Sequence, residues 1–315
     1  MMNEISINDI EGYRIGQAED ATAGTGVTVV IADEGVSAGI DIRGGGPASR
    51  EVTLLDPLTH EKKIHAVVLA GGSAFGLDAA GGVMRYLEEN GIGYDVGITK
   101  VPLVCQSDIF DLTVGDYRRR PDADMAYAAC LNSEKKNYMD GNHGAGTGAS
   151  VGKYLGMSHA MKSGIGSYAV QIGELKIGAV VVVNALGDIY DHKTGNKIAG
   201  IHDTDGDMTS EDLLLANLEP KENKFVENTT IGIIISNASF TKSELCKIAG
   251  MTHNGYARSI RPVHTSADGD TIYALANGKV RVDMDAFGEL AGNIMSEAIT
   301  RAVTSSTVAY GLPAV

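Results

Sequence analysis

Residues 227–235 read ENTTIGIII and mark the point where a polar segment enters an apolar, β-branched run. Such a run predicts a buried strand that begins at Thr229 and Thr230. Threonines often open strands because of their β propensity alone, so the pair does not by itself establish a site. If the Asn228–Thr229 bond were cut, however, Thr229 would carry a hydroxyl nucleophile and a free amine with a pKa of about 8, which could serve as its base.

Composition and charge limit the classes of function that are open to the chain. It has 315 residues, 43% of them hydrophobic, and a formal net charge of −14. It can therefore bury a large core, but it offers little positive charge to a phosphate backbone. The densest basic run, residues 118–120, is typical of a solvated loop. We expect no nucleic-acid partner.

Cysteine usage and hydropathy indicate where the protein resides. Its three cysteines are scattered and show no metal spacing, which is typical of reduced core residues in a cytosolic protein. The N-terminal residues contain acidic side chains and no apolar signal segment, and no run approaches the roughly 18 apolar residues of a membrane span. The sequence predicts a cytoplasmic protein without a membrane partner.

Strand and helix signals occur in about equal share along the chain. Strands are predicted at 27–32 and 37–42, joined as a hairpin by a turn at Glu34 and Gly35, and also at 64–70, 177–184, 229–235 and 270–275. Helices are predicted at 77–89, 122–131, 210–218, 241–258 and 283–303. The polar stretch 192–228 is predicted to be a surface connection that ends in an accessible loop. This α/β pattern fits two stacked sheets between helix layers, or one large mixed sheet.

Two motifs that suggest a bound group fail on their spacing. Residues 146–153 resemble a phosphate loop, but Tyr154 stands where Ser or Thr would hold magnesium. Aspartates at 203, 205 and 207 resemble a calcium loop, but Gly206 falls between the carboxylates. We therefore expect neither a metal nor a cofactor. His264 could act as a base, although a single histidine is more often structural.

Four further residues could form a site together with Thr229. Asn184 ends the most continuous apolar run, where its amide could donate a hydrogen bond to an oxyanion or simply shape a turn. Lys153, in a glycine-rich loop, could supply positive charge or carry a proton with a lowered pKa. Asp268 and Asp270 flank a glycine at the start of a predicted strand, where an ordinary turn is the alternative interpretation.

Three segments together resemble the hallmark motifs of the self-processing aminopeptidase family. They are VNALGD at 183–188, ENTTI at 227–231 and VHTSADGDT at 263–271. The family contains the L-aminopeptidase/D-amidase-esterases, the β-peptidyl aminopeptidases and the nylon-oligomer hydrolases. The resemblance extends from the glycine loop at 43–45, through GGSAFGL at 71–77, to the end of the chain.

The resemblance implies a layered α/β/β/α sandwich of the N-terminal-nucleophile-hydrolase style. It also implies that a single catalytic domain, residues 1–315, is made as an inactive precursor and cut in cis between Asn228 and Thr229 into an α part, 1–228, and a β part, 229–315. By the same resemblance Thr229 is the nucleophile, Asn184 the oxyanion donor, and Asp268 and Asp270 the carboxylates that hold the threonine and its amine.

Two further positions are carried over from the nylon-oligomer-hydrolase branch. Lys153 matches a lysine of that branch, whereas Phe110 stands in the substrate-binding segment where the branch has a tyrosine. A hydrogen bond from that hydroxyl to the substrate is therefore not expected here. The resemblance implies a small peptide or amide substrate with a free amino group, with oligomers of 6-aminohexanoate as the alternative. It also implies a homo-oligomer, with a tetramer as the expected form. A chain that is never cut, and that binds a small ligand or serves as a scaffold, is the non-catalytic alternative.

Overall fold

The computed structural model describes residues 2–60, 63–202, 208–218 and 228–315. The aspartates at 203–207 and residues 219–227 of the predicted surface connection lie outside the described residues. The strands are β1 (Met2–Ile5), β2 (Arg14–Asp20), β3 (Thr25–Ile42), β4 (Ala48–Arg50), β5 (Ile64–Ala70), β6 (Tyr94–Asp95), β7 (Lys100–Val101), β8 (Val104–Asp108), β9 (Ser150–Val151), β10 (Met161–Lys162), β11 (Ile165–Ile172), β12 (Leu175–Asn184), β13 (Asp188–Tyr190), β14 (Lys197–Ala199), β15 (Thr229–Ala238), β16 (Ile260–Arg261) and β17 (Thr271–Val280). The helices are α1 (Ala80–Glu89), α2 (Ala123–Ser133), α3 (Ser210–Ala216), α4 (Lys242–Ser259) and α5 (Met284–Thr304).

The long strand β3 belongs to two sheets. Its C-terminal half, residues 37–42, pairs with β17 at the end of a first sheet ordered β1-β11-β12-β15-β17-β3. Its N-terminal half, residues 25–31, pairs with β2 on one side and with β5 on the other, and β5 leads on to β8 and β4. The predicted hairpin is therefore wrong. The register shifts between Ile31 and Val36, and Gly35 has a φ of +66°, so the expected turn residues lie in an irregular stretch that separates the two halves.

Three groups of buried apolar side chains define four layers. In β15, Ile233 contacts the group between the two sheets, whereas its neighbour Ile234 contacts the group beneath α4 and α5. In β5, Val67 faces the space between the sheets and Val68 packs against α1 and α2. Alternation along each strand thus sends side chains to both faces, and burial of both faces explains the unbroken apolar runs in the sequence. The fold is α/β/β/α, with two stacked sheets rather than one.

Most of the remaining predicted elements are confirmed. β5 has the predicted bounds, and α4 begins after a capping box in which the Thr241 hydroxyl accepts from the Glu244 N–H and the Glu244 carboxylate accepts from the Thr241 N–H. The helix predicted at 77–89 becomes α-helical only from Ala80, because residues 73–79 form a 3₁₀ helix. The three cysteines are free. Among the described residues no helix is long and apolar enough to cross a membrane.

Candidate active site

The predicted site residues converge at one end of the first sheet. β12 and β15 are antiparallel, and Asn184 at the end of β12 lies directly opposite Thr229 at the start of β15. β17 runs parallel to β15 on its other side. Just before β17, Asp268 forms a parallel bridge with Asn228. Strand pairing therefore gathers three distant segments around the Asn228–Thr229 bond.

The Asn228–Thr229 bond is buried, and hydrogen bonds hold the groups on either side of it. Thr229 is 4% exposed, and its hydroxyl donates to the Asn228 carbonyl oxygen over 2.5 Å. The same oxygen accepts from the Gly269 N–H at 2.8 Å, while the Asn228 N–H donates to the Ala267 carbonyl at 3.1 Å. The candidate nucleophile thus lies beside the carbonyl group that precedes it, and that carbonyl is already polarised by a backbone donor.

The two aspartates have different roles in holding this arrangement. Asp270 accepts the Thr230 N–H through Oδ1 at 2.8 Å, and its Oδ2 accepts the His264 N–H at 3.0 Å and contacts His264 Nδ1 at 2.9 Å. Asp268 accepts both the N–H and the hydroxyl of Thr265, at 2.7 and 2.6 Å. Burial, reinforced by the charge of Asp270, raises the pKa of Asp268 to about 6. Asp270 therefore fixes the backbone just after the candidate nucleophile.

Lys153 and Asn184 form a buried polar pair. Lys153 Nζ donates to the Asn184 side-chain oxygen at 2.9 Å and to its backbone carbonyl at 3.0 Å, and the Ser150 N–H donates to the same side-chain oxygen at 3.1 Å. These donors fix the amide orientation, so that Asn184 Nδ2 donates to the Phe110 carbonyl at 2.9 Å. Burial lowers the pKa of Lys153 to about 7, although the charges of Asp268 and Asp111 oppose this shift. Lys153 can therefore exchange a proton near neutral pH.

All the predicted site residues are thus linked, and Phe110 takes part through its backbone carbonyl. Sequence reasoning missed the role of Gly269 as a backbone donor and the place of Asp111 beside the site. Asp111 accepts from Thr25 Oγ1 and from the Gly72 N–H, both at 2.7 Å, and burial raises its pKa to about 6. The glycine pair at 71–72 is a partial sequence signal that another group approaches the backbone there. A Cβ at Gly71 would lie 1.9 Å from Asp111 Oδ2.

The types of polar side chain at the site indicate which chemistry it can perform. Among the residues that the structure describes, no three His, Cys, Asp or Glu side chains are grouped so as to hold a metal ion. The buried groups at the site are instead a hydroxyl, an amine, an amide and two carboxyl groups. This set suits acid–base and nucleophilic chemistry.

The layered fold places the chain in a known structural class. It superposes on the L-aminopeptidase D-Ala-esterase/amidase from Ochrobactrum anthropi, a variant of the Ntn hydrolase fold, with a TM-score of 0.69 and 15% identity over 96% of this chain and 86% of the other. At that identity the similarity shows the fold alone. The chain therefore has a fold of the Ntn-hydrolase type.

Sequence comparison then gives the family. The chain belongs to peptidase family S58, because the model of that family matches residues 5–313. It is 37% identical to an uncharacterised aminopeptidase of Mycobacterium tuberculosis, over 98% of this chain and 96% of the relative. It is 30% identical to a 6-aminohexanoate-oligomer endohydrolase of Agromyces sp., over 93% of this chain and 84% of the relative. The protein is a hydrolase of amide bonds.

Proposed function

We propose that the chain cuts its own Asn228–Thr229 bond and that the freed Thr229 then hydrolyses short peptides or amides that carry a free amino group. The observation that carries this proposal is the hydrogen bond of 2.5 Å between the Thr229 hydroxyl and the Asn228 carbonyl. The nucleophile and the group it must attack are already in contact, and this proximity supplies much of the rate of an intramolecular reaction.

Self-cleavage proceeds by an N-to-O acyl shift. Thr229 Oγ1 attacks the carbonyl carbon of Asn228, the C–N bond breaks, and the nitrogen takes the proton that the hydroxyl loses and becomes the amine of Thr229. The Gly269 N–H, 2.8 Å from the carbonyl oxygen, stabilises the charge that develops there. Water then hydrolyses the ester, which leaves a carboxylate on Asn228 and a free hydroxyl on Thr229.

Substrate hydrolysis uses the same nucleophile. The hydroxyl attacks the substrate carbonyl, the threonine amine takes the proton and returns it to the leaving amine, and water hydrolyses the acyl-enzyme. Asn184 Nδ2 donates one hydrogen to Phe110, and its second hydrogen serves the oxyanion. Asp268 and Asp270 balance the charge of the new ammonium group, while Lys153 carries a proton near pH 7.

The sheet explains how the two parts would remain one catalytic domain. β15 and β17, both in residues 229–315, lie between β12 and β3, which belong to residues 1–228. Each part therefore supplies hydrogen-bond partners to the other, and cutting the chain breaks none of the β15 pairings with β12 or β17.

An endohydrolase of 6-aminohexanoate oligomers is the second candidate, and the relative in Agromyces favours it. Membership of a peptidase family favours an enzyme over a non-catalytic scaffold. We also propose a cytoplasmic homo-oligomer, with a tetramer as the expected form. Light scattering on the purified protein tests the assembly, and a monomer would contradict it.

The deciding experiment is the denatured mass of the wild type beside Thr229→Ala and Thr229→Ser. We expect fragments 1–228 and 229–315 in the wild type and in Thr229→Ser, which keeps a hydroxyl, and an intact chain in Thr229→Ala. Cleavage of Thr229→Ala at the wild-type rate would show that another group cuts the bond. A wild type that stays whole while it hydrolyses amides would refute the free-amine mechanism.

A further inference from the structure

Lys162 is a second buried amine, to which the proposed mechanism gives no role. It ends β10, where it lies directly opposite Ser150 of β9, and it is 0% exposed. Its Nζ donates to the carbonyl oxygens of Gly146 at 3.2 Å and of Ala149 at 3.0 Å, and also to that of Ser163. Three acceptors match the three hydrogens of an ammonium group.

One of these contacts leads to the candidate oxyanion donor through a single peptide group. The Ala149 carbonyl and the Ser150 N–H are the two ends of the same amide. While that carbonyl accepts from Lys162, the N–H donates to the Asn184 side-chain oxygen at 3.1 Å. At the other end of the Asn184 amide is Nδ2, whose second hydrogen serves the oxyanion in the proposed mechanism. Two amides in series therefore connect Lys162 Nζ to the reacting atoms.

We propose that Lys162 positions and polarises Asn184 through the peptide group between Ala149 and Ser150. This inference rests on the proposed function and deepens it, since it adds a positioning residue to the same site. A cation at the first carbonyl draws electron density along the chain of amides, and hydrogen bonds in series strengthen one another by roughly 10–30% each. The Nδ2 hydrogen thereby becomes a better donor to the developing oxyanion.

The contacts of Lys162 also hold the loop that carries both donors to Asn184 Oδ1. These donors are the Ser150 N–H at 3.1 Å and Lys153 Nζ at 2.9 Å. The Ala149 carbonyl has a second donor, the N–H of the residue that follows Lys162, at 3.0 Å. Without the ammonium group the loop keeps this backbone bond. We therefore expect the fold to persist in a variant at Lys162, while the Asn184 amide loses its fixed orientation.

The first test is the kcat of Lys162→Met on L-alanyl p-nitroanilide, since Met has a similar length but no donor. Burial lowers the pKa of Lys162 to about 7, and the charge of Asp111 opposes this shift, so rates are compared at pH 6.5, where the ammonium form prevails. We expect kcat to fall about 10-fold with little change in KM. This value lies between the roughly 2-fold that loss of polarisation gives and the roughly 100-fold that displacement by 1 Å can cost.

Two controls separate this role from a purely structural one. Self-cleavage by Lys162→Met should stay within about 2-fold of the wild type, because the Asn228 carbonyl accepts from Gly269 rather than from Asn184. Lys176→Met, at the opposite end of β12 from Asn184, should change neither rate. An unchanged kcat in Lys162→Met, or equal losses in kcat and self-cleavage, would overturn the inference.

The second test asks whether Lys162 acts through Asn184. Asn184→Asp removes the Nδ2 donor, so in that background Lys162→Met should cost less than about 2-fold in kcat, since residues in one hydrogen-bond network are not additive. A 10-fold cost in both backgrounds would show that Lys162 reaches the reaction by another route.

The third test uses the wild type alone and therefore holds even if Lys162→Met does not fold. Labelling alanine carbonyls with ¹³C and serine nitrogens with ¹⁵N selects the Ala–Ser pairs at 48–49, 149–150 and 238–239. The boronic acid analogue of alanine forms a tetrahedral adduct with the Thr229 hydroxyl and places an oxygen where the oxyanion develops. We expect the 149–150 signal to shift, whereas the 238–239 pair, at the far end of β15, stays in place. A bound adduct that leaves the 149–150 signal unmoved would contradict the connection.

Failure of the underlying proposal has a different signature. A wild type that stays whole, or that hydrolyses no amide, defeats the proposed function. A cleaved and active enzyme whose kcat is indifferent to Lys162→Met defeats only the role of Lys162, and the proposed nucleophile stands.

Discussion

Gly269→Ala is expected to slow self-cleavage about 10- to 100-fold, because displacing a reacting group by as little as 1 Å can cost roughly that much. A Cβ at this position would lie 2.8 Å from Thr229 Oγ1 and 3.1 Å from the Gly46 carbonyl oxygen. Ordinary contacts of a Cβ begin at 3.4 Å. The nucleophile or the loop must therefore move by several tenths of an ångström. Such overpacking also costs about 1–3 kcal/mol of stability.

The assay follows conversion of the full-length chain into fragments 1–228 and 229–315 by mass, in samples taken at intervals after rapid purification. Gly81→Ala is the matched control, because an added Cβ in α1 meets nothing within 4 Å. Circular dichroism and the thermal midpoint report whether each variant has folded. Wild-type cleavage kinetics in a folded Gly269→Ala variant would refute the claim that this glycine sets the position of the hydroxyl.

Three further predictions concern the groups around Thr229. Burial lowers the pKa of Lys153 to about 7, so the unfolded chain binds more protons above that pH and stability rises as the pH increases. In a Thr229→Ala background, Lys153→Met should reduce this gain by about 3 kcal/mol between pH 7 and pH 9.5. The free energy of unfolding, measured with urea at each pH, tests this, and an equal rise with pH in the proteins with and without Lys153 would contradict it. Asn184→Asp keeps the acceptor for Lys153 but loses the Nδ2 donor, so kcat on L-alanyl p-nitroanilide should fall about 10²- to 10³-fold; an unchanged kcat would exclude Asn184 as the oxyanion donor. His264→Ala removes the ring contact with Asp270 and should slow self-cleavage about 10-fold, while His264→Asn, whose amide can donate in its place, should restore most of the rate; equal rates in both variants would show that the ring contact is irrelevant.

Local elements were predictable wherever a local cause determines them. The Thr241 and Glu244 capping box fixes the start of α4 within four residues of sequence. The apolar run of β5 shows its bounds directly, because burial on both faces leaves His65 as the one polar residue within it. The two halves of β3 failed for the opposite reason. A turn at Gly35 satisfies the local pattern, but the pairing of each half is decided by strands far away in the sequence.

The residues of the candidate site also fall into two groups, those that the sequence marks and those that only the structure shows. Side chains with distinctive chemistry, such as Thr229, Asn184 and Lys153, could be selected as candidates because residue type carries the signal, and resemblance to a family joined them. The backbone groups of Ala267 and Gly269 have no such signal, since nearly every residue has an N–H and a carbonyl. Only the parallel bridge shows that the Ala267 carbonyl accepts from the Asn228 N–H and that the Gly269 N–H donates to the Asn228 carbonyl.

The position of the bond at the start of β15 reconciles self-cleavage with a stable fold. Pairing with β12 begins at Thr229 itself, so the proposed cut would turn a strand start into a chain end without removing a rung of the sheet. The main chain of Asn228 is held by two backbone hydrogen bonds to residues 267–269, each with a net contribution of about 1 kcal/mol. If the chain is cut, the released end would therefore be held weakly enough to leave, and the contacts that prepare the bond for cleavage would not block the enzyme afterwards.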